Sequence, residues 1–221
     1  MPTIFVTGTD TGVGKTRISC GLLQQLREQG SSVCGYKPVA SGCEKTPEGL
    51  RNEDALALQA AAQTNEAYGC INPYAFVPAI APHLAAKEVG VNLNLTLLNQ
   101  AHDELAAQYD WIVVEGAGGF LVPLNDELTF GDWAGQRQWP VVLVVGMRLG
   151  CINHALLSAE AIARRGHLVG WVANVLSADM PNLEQNIDDL RARIAAPLLG
   201  VVAYGGAVQL NIDALKVRLQ P

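Results

Sequence analysis

The sequence predicts an α/β protein built on a doubly wound, mostly parallel sheet with helices on both faces. Three observations lead there. Short β-branched runs alternate with amphipathic stretches along the whole chain. The runs are apolar almost without interruption, the pattern of strands covered on both sides rather than one. Polar and glycine-rich residues gather at the carboxyl ends of those runs, the edge where open α/β sheets bind ligands. At 221 residues, with 49% hydrophobic and 16% charged residues, the chain can bury a substantial core, and disorder is excluded.

Taken in order, the strands are expected at Thr3–Thr7, Val33–Val39, Trp111–Val114, Val141–Val145, Val169–Ala173 and Leu199–Val202. Helices are expected at Lys15–Gln29, Leu95–Gln108, Cys151–Arg165, Leu183–Ile194 and Ile212–Leu219. Each apolar run followed by a helix is one half of a parallel crossover unit. No repeat, low-complexity segment or linker divides the chain, so residues 1–221 are expected to form a single domain.

The formal net charge of -6 argues against a nucleic-acid groove, which needs clustered Lys and Arg. A small basic pocket inside an acidic shell is still allowed. Mean hydropathy of +0.18 raises the question of a membrane span. The longest stretch free of Lys, Arg, Asp and Glu, Ala67–Ala86, contains Pro73, Pro78 and Pro82 and would make a poor spanning helix. The most apolar run, Trp139–Met147, is too short and reads as a buried strand. No basic leader precedes Thr3–Val6, so a cytoplasmic location and no membrane contact are expected. The five cysteines (Cys20, Cys34, Cys43, Cys70 and Cys151) contain no CxxC pair, and read as free buried thiols.

The strongest local signal is Gly8-Thr9-Asp10-Thr11-Gly12-Val13-Gly14-Lys15-Thr16, placed directly after the first strand and opening the first helix. Backbone N–H groups of such a loop wrap phosphate oxygens, and the helix dipole favours the anion. Lys15 would reach the β/γ-phosphates and the Thr16 hydroxyl would ligate Mg²⁺. Five residues, rather than the usual four, separate Gly8 from Gly14. The context nevertheless makes the fold one of P-loop NTPase type.

Glu115 follows the apolar run Trp111–Val114, where a second acidic magnesium ligand would stand. The glycines of Gly116-Ala117-Gly118-Gly119 would let a ligand approach the backbone. Asp54 ends the charged stretch Glu44–Asp54, and its residue type alone suits a solvated or helix-capping role as well as a ligand. Lys37 ends the second run; it is either an ordinary exposed lysine or a second charge against a transferring phosphate. Gly150-Cys151-Ile152-Asn153-His154 offers helix N-terminal N–H groups suited to an anion. His154 itself reads as a packed or exposed helical residue rather than a base.

These pieces, in this order, resemble the ATP-dependent dethiobiotin synthetase family. The resemblance rests on Val6–Thr11, Val13–Thr16, Gly35–Gly42, Glu44–Asn52, Glu115–Gly119, Leu149–His154, Trp171–Asn174 and Ala196–Gly200. The Tyr36–Gly42 and Leu149–His154 segments are far more specific than the P-loop, and the family also carries the additional loop residue. The chain departs from it at Gly12, where some close relatives have Glu. It departs again in Val201–Gly206, which lacks the usual Pro-containing nucleotide loop and its acidic ribose contact.

The resemblance implies a homodimeric enzyme using Mg²⁺, ATP, CO₂ and 7,8-diaminononanoate. An amine of the substrate takes up CO₂ as a carbamate, the carbamate oxygen attacks the γ-phosphate, and the second amine closes a ureido ring on the resulting anhydride. By the same resemblance, Lys15, Lys37 and Thr11 are the catalytic residues. Thr16, Asp54 and Glu115 form the metal shell. Nucleotide contacts fall to Gly12, Val13, Gly14, Lys15, Thr16, Arg17, Asp54, Glu115, Gly116, Ala117, Gly118, Asn174, Val175, Ala203, Tyr204 and Gly205, with Asn174 at the adenine edge. Ser41, Gly118 and Gly119 would contact the diamine or carbamate. Leu149, Gly150, Cys151 and Asn153 would hold its carboxylate, contributed across the dimer interface.

Two other readings share the P-loop. A partner-regulated switch ATPase would carry a further lysine early in the loop, where Thr9, Asp10 and Thr11 stand, and often a basic membrane or DNA surface. An amidotransferring cobyrinate-type synthetase would need a glutaminase domain, for which this chain has no room.

Overall fold

In the computed structural model, which describes residues 2–219, the elements run β1 (Thr3–Gly8), α1 (Lys15–Glu28), β2 (Val33–Tyr36), β3 (Val39–Ala40), β4 (Glu44–Thr46), β5 (Gly49–Arg51), α2 (Glu53–Ala62), α3 (Tyr68–Ile71), β6 (Tyr74–Ala75) and α4 (Pro82–Glu88). The second half continues with α5 (Leu95–Ala106), β7 (Trp111–Gly119), α6 (Phe130–Gln136), β8 (Pro140–Met147), α7 (Cys151–Arg165), β9 (His167–Val175), α8 (Leu183–Arg193), β10 (Leu198–Val202) and α9 (Ile212–Arg218). Met1, Gln220 and Pro221, part of the expected domain, lie outside the described residues.

Six strands form one sheet in the order β10-β9-β8-β1-β7-β2, and every pairing in it is parallel. β1 sits between β7 and β8, so the chain leaves it in both directions, and the loop after β1 opens into that switch point. Alternate side chains enter two separate cores, as the period of a strand requires. Phe5, Ile112, Val114, Leu143 and Val145 face α5 to α8 through Leu98, Trp133, Ile162 and Leu190. Ile4, Val6, Val113, Val142 and Val144 face α1, α2 and α9 through Ile18, Leu22, Leu58 and Leu215. The doubly wound architecture is therefore present, helices on both faces included.

Several boundaries differ from expectation, and three of the differences position candidate functional residues. The second strand stops at Tyr36, because Pro38 has no N–H for the ladder. Lys37 instead donates its backbone N–H to Ile71 O at 2.8 Å and accepts from Asn72 Nδ2 at 2.6 Å. Val39–Ala40 then pairs with Tyr74–Ala75 in a separate two-stranded sheet. In the opposite sense, β7 runs on through the glycines, so Glu115 stands inside the ladder opposite Val6 rather than beyond it. Likewise Asn174 lies within β9, opposite Gly146. The helices α2, α3, α4 and α6 were not anticipated; α2 is Ala-rich and nearly lacks amphipathic contrast, which hid it.

Candidate active site

The loop after β1 wraps towards α1 and reaches it through Gly14, whose backbone is left-handed at φ 92°. A Cβ there would come within 2.2 Å of Asn174 Nδ2, so both the conformation and the space require glycine. Val13 is buried beneath the loop and its carbonyl accepts from Asn174 Nδ2 at 2.8 Å. Asp10 caps the loop, accepting from Thr11 N–H at 2.7 Å and pairing with Arg148 at 2.5 Å. The Thr11 N–H, first among the causes, and then Arg148 hold the Asp10 carboxyl below its ordinary pKa.

Beside this loop a polar cluster joins four segments. Thr16 Oγ1 lies 2.7 Å from Asp54 Oδ1 and 2.9 Å from Glu115 Oε1; its single proton serves one at a time. Lys37 Nζ donates to Glu115 Oε1 at 2.7 Å, Asp54 Oδ2 at 3.0 Å and Gly116 O at 3.2 Å. Burial alone would lower the Lys37 pKa, but the Glu115 and Asp54 carboxylates outweigh it and hold the amine above the ordinary lysine range. Burial likewise opposes the charge on Asp54, and Lys37 overcomes it, leaving that carboxyl below its usual value. Lys37 is therefore an ammonium, paired with Asp54 and Glu115 and buried, which disposes of the exposed-lysine reading.

Asp54 is half-buried and paired with Lys37 and Thr16, and it is not the cap. Asn52 caps α2, its Oδ1 accepting from Ala55 N–H at 3.3 Å, while its own N–H is fixed by Tyr68 Oη at 2.8 Å. That start aims the first turn of α2, and Asp54 with it, at the P-loop. Lys15 Nζ meanwhile donates to Asp10 O at 3.0 Å. Burial, and then repulsion from Lys37, lower the Lys15 pKa to about 8.

The residues present fit a magnesium ion. Glu115 is fully buried, and its Oε2 has no hydrogen-bond partner. A buried carboxyl oxygen without a partner needs a cation or a donor. Among the described residues no group of three or more His, Cys, Asp or Glu converges on one point. Two carboxylates and a hydroxyl are nonetheless what Mg²⁺ takes from a protein when phosphates supply further ligands.

Two adjoining cavities receive these groups. The larger, about 690 Å³, is lined by Thr11, Lys15, Thr16, Lys37, Ser41, Asp54 and Gly118 and roofed by Ala79–Pro82. The second, about 510 Å³, shares Gly12 and Gly14 with the first and is bordered by Arg17, Asn174, Val175, Tyr204 and Gly205. Leu149, Gly150, Cys151 and Asn153 border neither cavity. Leu149 is wholly exposed beside left-handed Gly150, Asn153 is exposed, and Cys151 is buried. Sequence reasoning missed Asn52, the Ala79–Pro82 roof and the Asp10–Arg148 pair. The Asn52-Glu53-Asp54 run, a cap followed by first-turn acids, was the one available signal.

Comparison with known proteins follows the same lines. A profile of an AAA domain family (AAA_26) matches residues 2–209. The chain is 56% identical over 220 residues to ATP-dependent dethiobiotin synthetase BioD of Pseudomonas aeruginosa strain LESB58, with 96% of each chain covered. It is 52% identical over 204 residues to BioD of Xanthomonas oryzae pv. oryzae strain PXO99A, covering 92% of this chain and 91% of that one. Among solved structures, the cell division protein FtsY of Thermotoga maritima superposes with a TM-score of 0.54 at 15% identity, over 100% of this chain and 69% of its own. That likeness shows the P-loop α/β fold alone. With the phosphate loop, its two acids and its second lysine assembled on one sheet edge, the chain belongs to the ATP-dependent dethiobiotin synthetases, a family of P-loop ligases.

Proposed function

We propose that this chain, as one domain over residues 1–221 and as a homodimer, converts 7,8-diaminononanoate, CO₂ and Mg-ATP into dethiobiotin, ADP and phosphate. The observation that carries the proposal is the Thr16–Asp54–Glu115–Lys37 cluster, which opens into a cleft extending past the P-loop to Ser41 and Gly118. A phosphate site alone needs no such extension; a phosphoryl acceptor does.

In this reading, the loop N–H groups and Lys15 hold the β- and γ-phosphates, and Thr16, Asp54 and Glu115 hold Mg²⁺. When bound, the ion neutralises charge developing between the two phosphates. Lys37, held against the carboxylates, would supply its ammonium to the transferring γ-phosphoryl group, where charge stabilisation dominates the rate. Ser41, Thr11 and the Gly118–Gly119 backbone orient the carbamate for in-line attack. A carbamate is a poor acyl donor, and phosphorylation turns its oxygen into a leaving group. Holding the second amine beside the anhydride makes ring closure unimolecular, an advantage that reaches about 7–11 kcal/mol in well-oriented systems. Leu149, Gly150 and Asn153 are exposed and border neither cavity, which supports their reaching the partner's site and binding the substrate carboxylate there.

The test is product formation by purified protein given Mg-ATP, bicarbonate and diaminononanoate. Dethiobiotin and phosphate are expected together. ATP hydrolysis of equal rate without the diamine, and no ureido product, would overturn the assignment in favour of a switch ATPase.

A further inference from the structure

We infer that Arg17 is a positioning residue for the nucleoside half of the bound nucleotide, acting by fastening the irregular 203–210 segment along α1. The inference rests on the nucleotide reading above. Residues 17, 21 and 25 stand four apart and so form one stripe on α1. All three hold the same segment. Arg17 Nη2 donates to the carbonyls of Ala203, at 2.9 Å, and Gly206. Gly21 leaves a notch filled by Val208; a Cβ there would lie 2.3 Å from Val208 Cγ1. Gln25 Nε2 donates to Leu210 O at 3.1 Å, and its Oε1 accepts from Leu210 N–H at 2.9 Å.

The stripe reaches the ligand site through Asn174. Arg17 Nη1 donates to Asn174 Oδ1 at 3.0 Å, while Asn174 Nδ2 donates to Val13 O. One guanidinium therefore ties the turn after β10 to the end of β9 and, through that amide, to the P-loop. Its planar fork suits acceptors in different directions, which a lysine ammonium on a flexible stem serves less well. The turn it holds, Ala203–Gly206, closes on itself through Gly206 N–H to Ala203 O at 3.0 Å and presents Tyr204 and Gly205 at the second cavity. That cavity adjoins the phosphate cleft at Gly12 and Gly14, so a nucleoside attached to phosphates at Lys15 must extend into it. No regular element holds residues 203–210, and the stripe supplies what a ladder would.

The experiment compares calorimetric binding of Mg-ADP with that of Mg-pyrophosphate, which has no nucleoside. In Arg17→Ala the Kd for ADP is expected to rise about tenfold or more, as the competent turn becomes a minor conformer. Pyrophosphate binding is expected to stay within about twofold of wild type, because its ligands are untouched. Arg17→Lys should fall between, and Gln25→Ala, which frees the far end of the segment, should weaken ADP by about threefold with pyrophosphate unaffected. Unchanged ADP binding in Arg17→Ala would overturn the inference, as would equal losses for ADP and pyrophosphate, which would place Arg17 in the phosphate site. If Arg17→Ala does not fold, Arg17→Lys and Gln25→Ala decide by the same two ratios. A wild-type protein that binds neither compound sinks the nucleotide reading and this inference together.

Discussion

The proposed phosphate end and the proposed base end of the cleft are built in different ways. At the phosphate end, Thr16 from the loop and the side chains of Lys37, Asp54 and Glu115 are joined by hydrogen bonds of 2.7–3.0 Å. At the base end, an irregular segment is tied down by a helix stripe some 185 residues away in sequence. The first arrangement answers a fixed ligand: every phosphate asks for N–H groups, a cation and a metal. The second answers a base, which backbone and amide groups of many arrangements can read. A motif encodes the heart of the first, with packing bringing Lys37 and Asp54 to it; packing alone encodes the second.

The two ends should respond differently to substitution, and the largest effect belongs to the phosphate end. Lys37→Ala removes a donor to the transferring group, and turnover is expected to fall about 10²–10³-fold. It also strands the buried Glu115 carboxylate, so chemical denaturation should show a loss of about 3–5 kcal/mol. Wild-type turnover in this variant would remove Lys37 from the catalytic set. Next in size, Thr16→Val should raise the Mg²⁺ concentration needed for half-maximal turnover about tenfold or more, measured by titration at fixed ATP. Gly14→Ala tests where the two ends meet. Its left-handed backbone and the Asn174 contact make a cost of about 1–3 kcal/mol in thermal stability, with both pyrophosphate and ADP binding weakened.

A proton count sharpens the comparison further. Burial and Lys37 depress the Lys15 pKa to about 8, so near pH 8 about half of this lysine is neutral. Phosphate favours the ammonium and raises the pKa again. Binding should therefore take up about half a proton at pH 8 and almost none at pH 6.5, and affinity should weaken as pH rises above 8. Calorimetry in buffers of different ionisation enthalpy measures this directly; no uptake at pH 8 would place the lysine outside the phosphate contact. The smallest effect is expected at Arg148→Ala. Its exposed pair with Asp10 is worth under about 1 kcal/mol, and Asp10 keeps its bond to Thr11. A larger loss would show that the loop depends on residues beyond the motif.

The same division decides what could be read before folding. The parallel sheet and the helix after the P-loop follow from local pattern, and the same pattern makes Lys15, Thr16 and Glu115 candidates, because strand period and phosphate chemistry leave few alternatives. Asp54 was ambiguous because its role depends on where α2 points, and that is settled by Asn52 and Tyr68, whose contact spans sixteen residues. Lys37 was ambiguous until two carboxylates from separate segments were seen against it. The ends of β2 and β7 were misjudged in opposite directions: Pro38 stops a ladder, whereas glycines need not. Arg17 was placed at the nucleotide through family resemblance, but its contact with Ala203 and Gly206 is a tertiary event that no spacing announces.

The central claim is that phosphoryl transfer in this cleft is spent on a carbamate and not on water. Running the reaction with ¹³C-bicarbonate and counting ADP against labelled product tests it most directly. The account predicts one ADP for each dethiobiotin carrying ¹³C in its ureido carbonyl, and no ADP above background when the diamine is omitted. ADP released at the same rate without the diamine, or dethiobiotin formed without the label, would contradict it.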